Sequence, residues 1–121
     1  MRKYFSCILI SLSILVGCTT YRLRTTRRLD SRTFLEYYNV NPFGVDEVFV
    51  TDSVNFRLCI AKYDVDHERI YCEANGDTIK VVKLKDNGPS QKRTRLDSAI
   101  LSRDSLVRHK IRSSKPVLDF K

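Results

Sequence analysis

The middle of the chain carries the pattern that most constrains the fold. Val54–Tyr63 (VNFRLCIAKY) places Val54, Phe56, Leu58 and Ile60 at alternate positions, which is the two-residue period of a β-strand. Arg69–Ala74 and Thr78–Lys85 are further short runs of strand-forming residues. The dipeptide Asn75-Gly76 between them is a strong hairpin signal. These residues predict consecutive antiparallel strands.

The turn lengths extend this prediction to the register of the strands. A two-residue turn at Asn75-Gly76 would place Cys72 opposite Ile79, and a hairpin closing around Val65-Asp66 would place Cys59 opposite Cys72. Facing residues on adjacent antiparallel strands have Cα atoms about 4.5–5.5 Å apart, a separation that a disulfide tolerates. Cys59 and Cys72 therefore form either a disulfide, which the predicted register favours, or two reduced and buried thiols.

The remaining segments are expected to cover this sheet, which is apolar on both faces. Val45–Thr51 predicts another strand, after a turn at residues 41–44. Ser31–Tyr38 fits either one or two helical turns or a strand, and Leu96–Ile111 fits either a helix capped by Asp97 or two short strands, which we favour. The expected fold is mainly β: a small antiparallel meander forming a sandwich or partly closed barrel, with at most one short helix.

The first 18 residues have a different character. Met1–Tyr4 is short and basic, and Phe5–Val16 is a mostly apolar run within the ~7–15 residues of a signal-peptide core. As a helix, Phe5–Cys18 would be about 21 Å long, which is short of a hydrocarbon core of ~30 Å. The segment Leu15-Val16-Gly17-Cys18 that follows resembles the lipobox of bacterial lipoproteins. That resemblance implies cleavage between Gly17 and Cys18, a diacylglycerol thioether on Cys18, and acylation of its new amine, for example with palmitate.

These features divide the chain into a signal peptide (1–17), a lipidated basic tether (18–32) and a small β-rich domain (33–121). The whole chain has 22 Lys and Arg against 14 Asp and Glu, a net charge of +8. Loss of Arg2 and Lys3 with the signal peptide would leave 20 against 14, a balance of +6. Thr19–Arg32 reads as a flexible linker. It is either a solvated spacer or a contact to an anionic leaflet, to which each near-surface arginine would contribute about 1 kcal/mol. The arginines that would make this contact are Arg22, Arg24, Arg27 and Arg28.

No catalytic motif is evident. The chain has four glycines and no phosphate-binding loop, and its two histidines lie in no recognisable nucleophile motif. The cysteines and histidines fit no compact zinc pattern. The alternating acids Asp64, Asp66 and Glu68 lack the glycine and distal glutamate of a calcium loop. We therefore expect no catalytic residue, no metal, no cofactor and no small-molecule substrate, and a protein that is not an enzyme.

The expected function is that of a membrane-anchored envelope lipoprotein with a binding or scaffolding role. Its expected partners are the bilayer, through acylated Cys18, and an envelope protein. Thr19, rather than Asp, after Cys18 favours the outer membrane of a diderm host, with the domain facing the periplasm. Two alternatives stay open: an accessory lipoprotein subunit of a secretion or transport assembly, and a basic cytoplasmic nucleic-acid binder if the leader is not processed.

Overall fold

The computed structural model describes residues 20–41, 45–88 and 92–119. The predicted signal peptide, Gly17, Cys18 and the turn residues 42–44 lie outside these ranges. In chain order, the described elements are β1 (Thr20–Arg28), β2 (Phe34–Asn41), β3 (Val45–Thr51), β4 (Arg57–Tyr63), β5 (Glu68–Asn75), β6 (Thr78–Lys85), β7 (Thr94–Ser102), α1 (Arg103–Arg108) and β8 (Arg112–Ser113). The prediction of a mainly β chain with one short helix is confirmed.

The strands form two sheets. The large sheet has five strands in the order β1-β2-β3-β4-β8, and the small sheet has three in the order β5-β6-β7. All neighbours are antiparallel except β4 and β8, which are parallel. The architecture is an antiparallel meander folded into a two-layer sandwich, and the described strands do not close into a barrel.

The core lies between the inner faces of the two sheets. The cross-strand partners Leu35 and Val50 are fully buried on the large sheet, and Cys72 and Val81 are paired in the small sheet. One core cluster joins residues from both sheets, from α1 and from the segment after β8: Leu35, Val48, Val50, Phe56, Leu58, Ile60, Ala61, Tyr63, Cys72, Ile79, Val81, Leu106 and Leu118. At about 25 cal/mol per Å² of apolar surface removed from water, this cluster is the main favourable term in folding.

A bulge in β4 explains how adjacent residues both reach the core. Val48 pairs with Ala61 but the next residue of β3, Phe49, pairs with Cys59, so Ile60 is the extra residue. Ile60 and Ala61 are both fully buried and both belong to the core cluster. Such bulges interrupt the strict alternation of strand side chains.

The predicted flexible linker is wrong for residues 20–28, which form β1. This strand pairs with β2 along its length, from Thr20 opposite Asn41 to Arg28 opposite Phe34. The pairing satisfies the β2-facing backbone groups of a segment whose side chains all remain exposed. The alternative of a strand rather than helical turns is confirmed for β2.

The predicted register is also wrong. Asn75 pairs with Thr78, so the two turn residues are Gly76 and Asp77, and Cys72 lies opposite Val81 instead of Ile79. Gly76 has a φ of 61°, which explains why glycine occupies the first turn position. The shift of two residues keeps each side chain on its predicted face.

The larger correction concerns β4 and β5, which belong to different sheets. Cys59 therefore lies opposite Phe49 on β3 and not opposite Cys72. Both thiols are free and buried, so the favoured disulfide is not formed and the alternative of two reduced cysteines is the one observed.

Two strand boundaries differ from the prediction. Val54 is exposed and precedes β4, because the Asp52 carboxylate accepts hydrogen bonds from the N–H groups of Val54 and Phe56 and holds this segment as a turn. Both readings of residues 96–111 hold in part: β7 ends at Ser102, and a six-residue helix follows. Ser102, rather than Asp97, caps that helix by accepting from the Ser105 N–H.

Candidate functional site

The outer face of the large sheet carries a continuous set of rings and arginines. Leu35 and Val50 point into the core, so the residues beside them in β2 and β3 point the opposite way. The cross-strand partners of these residues in β1 and β4 lie on the same outer side of the sheet. We call this surface the aromatic face; it consists of Tyr21, Leu23, Arg28, Phe34, Tyr38, Phe49 and Arg57.

Arg57 is the central side chain of the aromatic face. Its guanidinium carbon lies 3.9 Å from the centroid of the Phe49 ring and 5.3 Å from that of Tyr38. Its Nε lies 3.1 Å from a carboxylate oxygen of Glu36. The two rings meet edge to face, with centroids 5.5 Å apart. These cation–π and ion-pair contacts fix the guanidinium plane, so the middle of this surface is preorganised.

The protonation of Arg57 follows from the same contacts. Burial opposes its charge, but hydrogen bonds to Tyr38 and Glu36 outweigh burial, so the pKa of Arg57 is raised. Arg28 repeats the cation–π arrangement at the end of β1, with its guanidinium carbon 5.5 Å from the Phe34 centroid. The aromatic face thus offers two permanent positive charges on aromatic rings.

The β1 end of the aromatic face is the most exposed part of it. Tyr21 and Leu23 are 57% and 50% exposed, although they pair with the more enclosed Val40 and Tyr38. In the part of the chain that the structure describes, β1 has β2 as its single strand neighbour, so it is an edge strand. Arginines along an exposed edge also disfavour pairing with a second sheet.

The four arginines predicted to contact an anionic surface all lie on β1, but they are not equivalent. Arg24 is the extra residue of a bulge, and it reaches the carboxylate of Asp46 at 2.9 Å and donates to the Tyr63 hydroxyl at 3.4 Å. Arg28 covers a ring, as described above. Arg22 and Arg27 are exposed and pair in register with Asn39 and Leu35.

Glu47 and Cys59 also lie on the outer side of the large sheet, where both are buried. Burial raises the pKa of the Glu47 carboxyl, while the charge of Lys62 opposes that rise. Burial raises the pKa of the Cys59 thiol to about 12, and the charge of Glu47 adds to the effect. Cys59 is therefore a neutral thiol and has none of the properties of a nucleophile.

The acidic turn considered for calcium is held together by its own contacts. The Asp64 carboxylate accepts from the Asp66 N–H at 3.0 Å and lies 2.8 Å from Nδ1 of His67. Glu68 accepts from the Asp64 N–H and lies 3.5 Å from Nζ of Lys83. Three of these residues line an open depression with Lys85 and Leu96. Among residues 20–41, 45–88 and 92–119, no group of three or more His, Cys, Asp and Glu side chains has a geometry that could hold a metal ion.

Sequence reasoning missed most of the aromatic face. The signal for its β1 end is present, since Tyr21 and Leu23 alternate with arginines in TYRLR. Arg57, Phe49 and Glu36 come from three different strands, and no local pattern indicates that they meet.

The described residues include no helix with the length and apolar composition needed to cross a membrane. The fold class of the described residues is a two-layer β-sandwich. Comparisons with family models, curated proteins and solved structures find no match to this chain.

Proposed function

We propose that this chain is a lipid-anchored protein of the bacterial cell envelope, whose β-sandwich binds or scaffolds another envelope component without catalysis. The observation that carries the proposal is the position of β1. The strand begins at Thr20, two residues after the cysteine of the lipobox-like sequence, and it exposes apolar and basic side chains along its length.

The position of β1 limits the distance between anchor and domain. A flexible tether of 15 residues would let the domain move over roughly 20 Å. Two residues of extended chain span at most about 7 Å. A lipid on Cys18 would therefore hold the edge of the large sheet at the headgroups. Acyl chains on both the thiol and the amine of Cys18 would give a stable anchor, whereas a single chain binds a membrane only marginally.

The aromatic face supports the binding role. Aromatic residues and arginine are enriched at the centres of protein interfaces, and fixed side chains reduce the entropy lost on binding. Arg57 is fixed by two rings and a carboxylate. In a diderm host, Thr19 after the cysteine favours the outer membrane and a domain that faces the periplasm.

The test is the intact mass of the protein recovered from its native membrane fraction, measured beside a Cys18→Ala variant. Cys7→Ala is the matched control, since Cys7 lies inside the apolar leader. We expect the wild type and the Cys7→Ala variant to have the same mass, that of residues 18–121 with diacylglyceryl and acyl groups. The Cys18→Ala variant should lack this species.

An unmodified full-length wild-type mass would overturn the proposal. The net charge of +8 would then favour the second candidate, a nucleic-acid binder, because basic grooves and stacked rings are the features that bind single strands. If the lipid is present, specific crosslinking of the domain to one transport or secretion complex in intact membranes would narrow the role to an accessory subunit.

A further inference from the structure

We propose that Tyr21 and Leu23 dock into the headgroup region of an anionic bilayer, with Arg28 on the same side of β1 contacting lipid phosphates. This inference rests on the proposed function, because the anchor at Cys18 would bring β1 to the membrane. It adds an orientation: the aromatic face, at its β1 edge, is the side of the sandwich that meets the lipid.

The geometry of β1 fits such a surface. Tyr21 and Leu23 project from the same side of the strand, and their Cα atoms are about 7 Å apart along it. Tyrosine and leucine at adjacent positions on one face combine an amphipathic ring, typical of the membrane interface, with an aliphatic chain. Both side chains are at least half exposed in the folded domain, so docking requires no rearrangement of the sheet.

The charge of β1 specifies an anionic partner. The strand has four arginines and no acidic residue. Arg24 is held by Asp46, and Arg22 and Arg27 pair with Asn39 and Leu35, whose side chains are on the inner side of the sheet. Arg28 pairs with Phe34 and is therefore the arginine of β1 on the same side as Tyr21 and Leu23. Arginine extends along a surface and places its charge several ångströms from its own Cα, so Arg28 can reach phosphates beside the docked side chains. Each such contact at an anionic surface strengthens binding about fivefold.

The acidic side chains on the outer side of the large sheet do not oppose the contact between β1 and an anionic bilayer. Glu36 is ion-paired with Arg57, and Glu47 is buried two strands away from β1. The small sheet offers a comparison surface on the opposite side of the sandwich, where Tyr71 is 51% and Ile100 is 72% exposed. Tyr71 lies two residues from an acidic side chain, Glu73, with which it shares a hydrogen bond.

The experiment uses tryptophan fluorescence, since the chain contains no tryptophan. The Tyr21→Trp variant and the matched Tyr71→Trp variant are prepared as full-length precursors and recovered from membranes. They are then reconstituted into vesicles of phosphatidylethanolamine with phosphatidylglycerol. We expect a blue shift of the Tyr21→Trp emission and a loss of intensity when the lipids are brominated near the top of their acyl chains. The Tyr71→Trp emission should show neither change.

Two further substitutions separate the apolar from the charged contribution. In the Tyr21→Trp background, Leu23→Glu should reduce the quenching, whereas Ile100→Glu on the small sheet should not. Replacing phosphatidylglycerol by phosphatidylcholine should reduce quenching, as should raising the salt concentration.

The outcomes distinguish this inference from the proposed function, because intact mass reports the lipid independently. A lipidated protein whose Tyr21→Trp emission is not quenched would overturn docking and leave the anchor in place. Equal quenching at both positions would also overturn docking, because the domain would then have no fixed orientation. Quenching by added vesicles without lipid on Cys18 would support docking and overturn the anchor. A response of the Tyr21→Trp emission to a single-stranded oligonucleotide but not to vesicles would overturn docking in favour of nucleic acid.

Discussion

Asp46 lies on the inner side of the large sheet, where its carboxylate is removed from water. Arg24 Nη1 is 2.9 Å from Oδ2, but the contact is not aligned as a hydrogen bond, and neither carboxylate oxygen has a hydrogen-bond partner. Burial raises the pKa of Asp46; the charge of Arg24 opposes the rise, and that of Asp66 adds to it. The ion pair therefore does not fully compensate the lost hydration.

This arrangement predicts the pH dependence of an Asp46→Asn variant. A carboxyl whose pKa is raised on folding contributes stability that is fully present below its unfolded pKa of about 3.8 and is lost as the pH rises through the folded value. Wild type should lose this contribution between acid and neutral pH, and the variant should not. In urea unfolding, the stability of the variant relative to wild type should therefore increase from pH 4 to pH 7.

The control for this experiment is the exposed residue Glu73, whose replacement by Gln should change stability by less than about 0.5 kcal/mol at either pH. An Asp46→Asn variant that loses stability relative to wild type as the pH rises would show that Arg24 outweighs burial, contrary to this prediction.

Cys59 and Cys72 are predicted to resist thiol reagents in the folded protein. Burial raises the pKa of Cys72 to about 11 as well as that of Cys59 to about 12, so almost no thiolate exists at pH 8. Peptide mass mapping after iodoacetamide treatment should find both unmodified in the native state and both alkylated in guanidinium without reductant. An exposed cysteine introduced by Ser114→Cys should react in the native state. A requirement for reductant would show that a disulfide is present instead.

At the scale of elements, the sequence predicts strands better than it predicts their partners. Short runs of strand-forming residues bounded by turn signals place β3, β5 and β6 within a residue of their observed bounds. The chain reversal after β4 was predicted too. A reversal leads equally well to a neighbour in the same sheet or to a strand of the facing sheet, and it is the core packing that selects the second.

The element that local patterns indicate least is β1, where the alternation of Tyr21 and Leu23 with arginines is confined to its first residues. Its nine residues are all exposed, so no burial imposes a hydrophobic pattern on them. Its partner β2 was recognised only as one of two alternatives. The aromatic face depends on the pairing of both strands, and for this reason its members could be named individually but not assembled from the sequence.

The hairpin between β5 and β6 provides a prediction at this scale. Gly76 has a positive φ, and a Cβ at this position would meet no atom within 4 Å, so an added methyl group causes backbone strain without a clash. Gly76→Ala should therefore cost about 1–2 kcal/mol of unfolding free energy, measured by urea denaturation. Asn75→Ala, at the exposed neighbouring position, should change it by less than about 0.5 kcal/mol. An unchanged urea midpoint for Gly76→Ala would contradict the observed turn.

At the scale of the molecule, the sandwich depends on the segment that pairs with β4 on the side opposite β3. Residues 112–118 run along β4 in parallel, beginning with β8 and ending at Leu118. The Leu118 N–H donates to the Ile60 carbonyl at 3.0 Å, and the Lys62 N–H donates to the Leu118 carbonyl at 2.9 Å. The Lys62 carbonyl in turn accepts from Lys83 Nζ of the small sheet at 3.0 Å. Residues 112–118 thus complete the large sheet. They do so beside the hydrogen bond between Lys83 and Lys62, which joins the two layers directly.

Leu118 gives the prediction that tests this view of the whole fold. It is buried within the core cluster, although it lies far along the chain from the strands that it covers. Leu118→Ala should lower the unfolding free energy by about 2–5 kcal/mol, because it removes buried methyl groups and leaves a cavity. Val117→Ala changes an exposed neighbour with the same backbone pairing and should cost less than about 0.5 kcal/mol. Equal losses for the two variants would mean that the Leu118 side chain contributes no more than the exposed Val117 side chain. Backbone pairing, which both variants keep, would then be what holds the segment. A large loss confined to Leu118→Ala would show that the segment is part of the core that keeps the two sheets together.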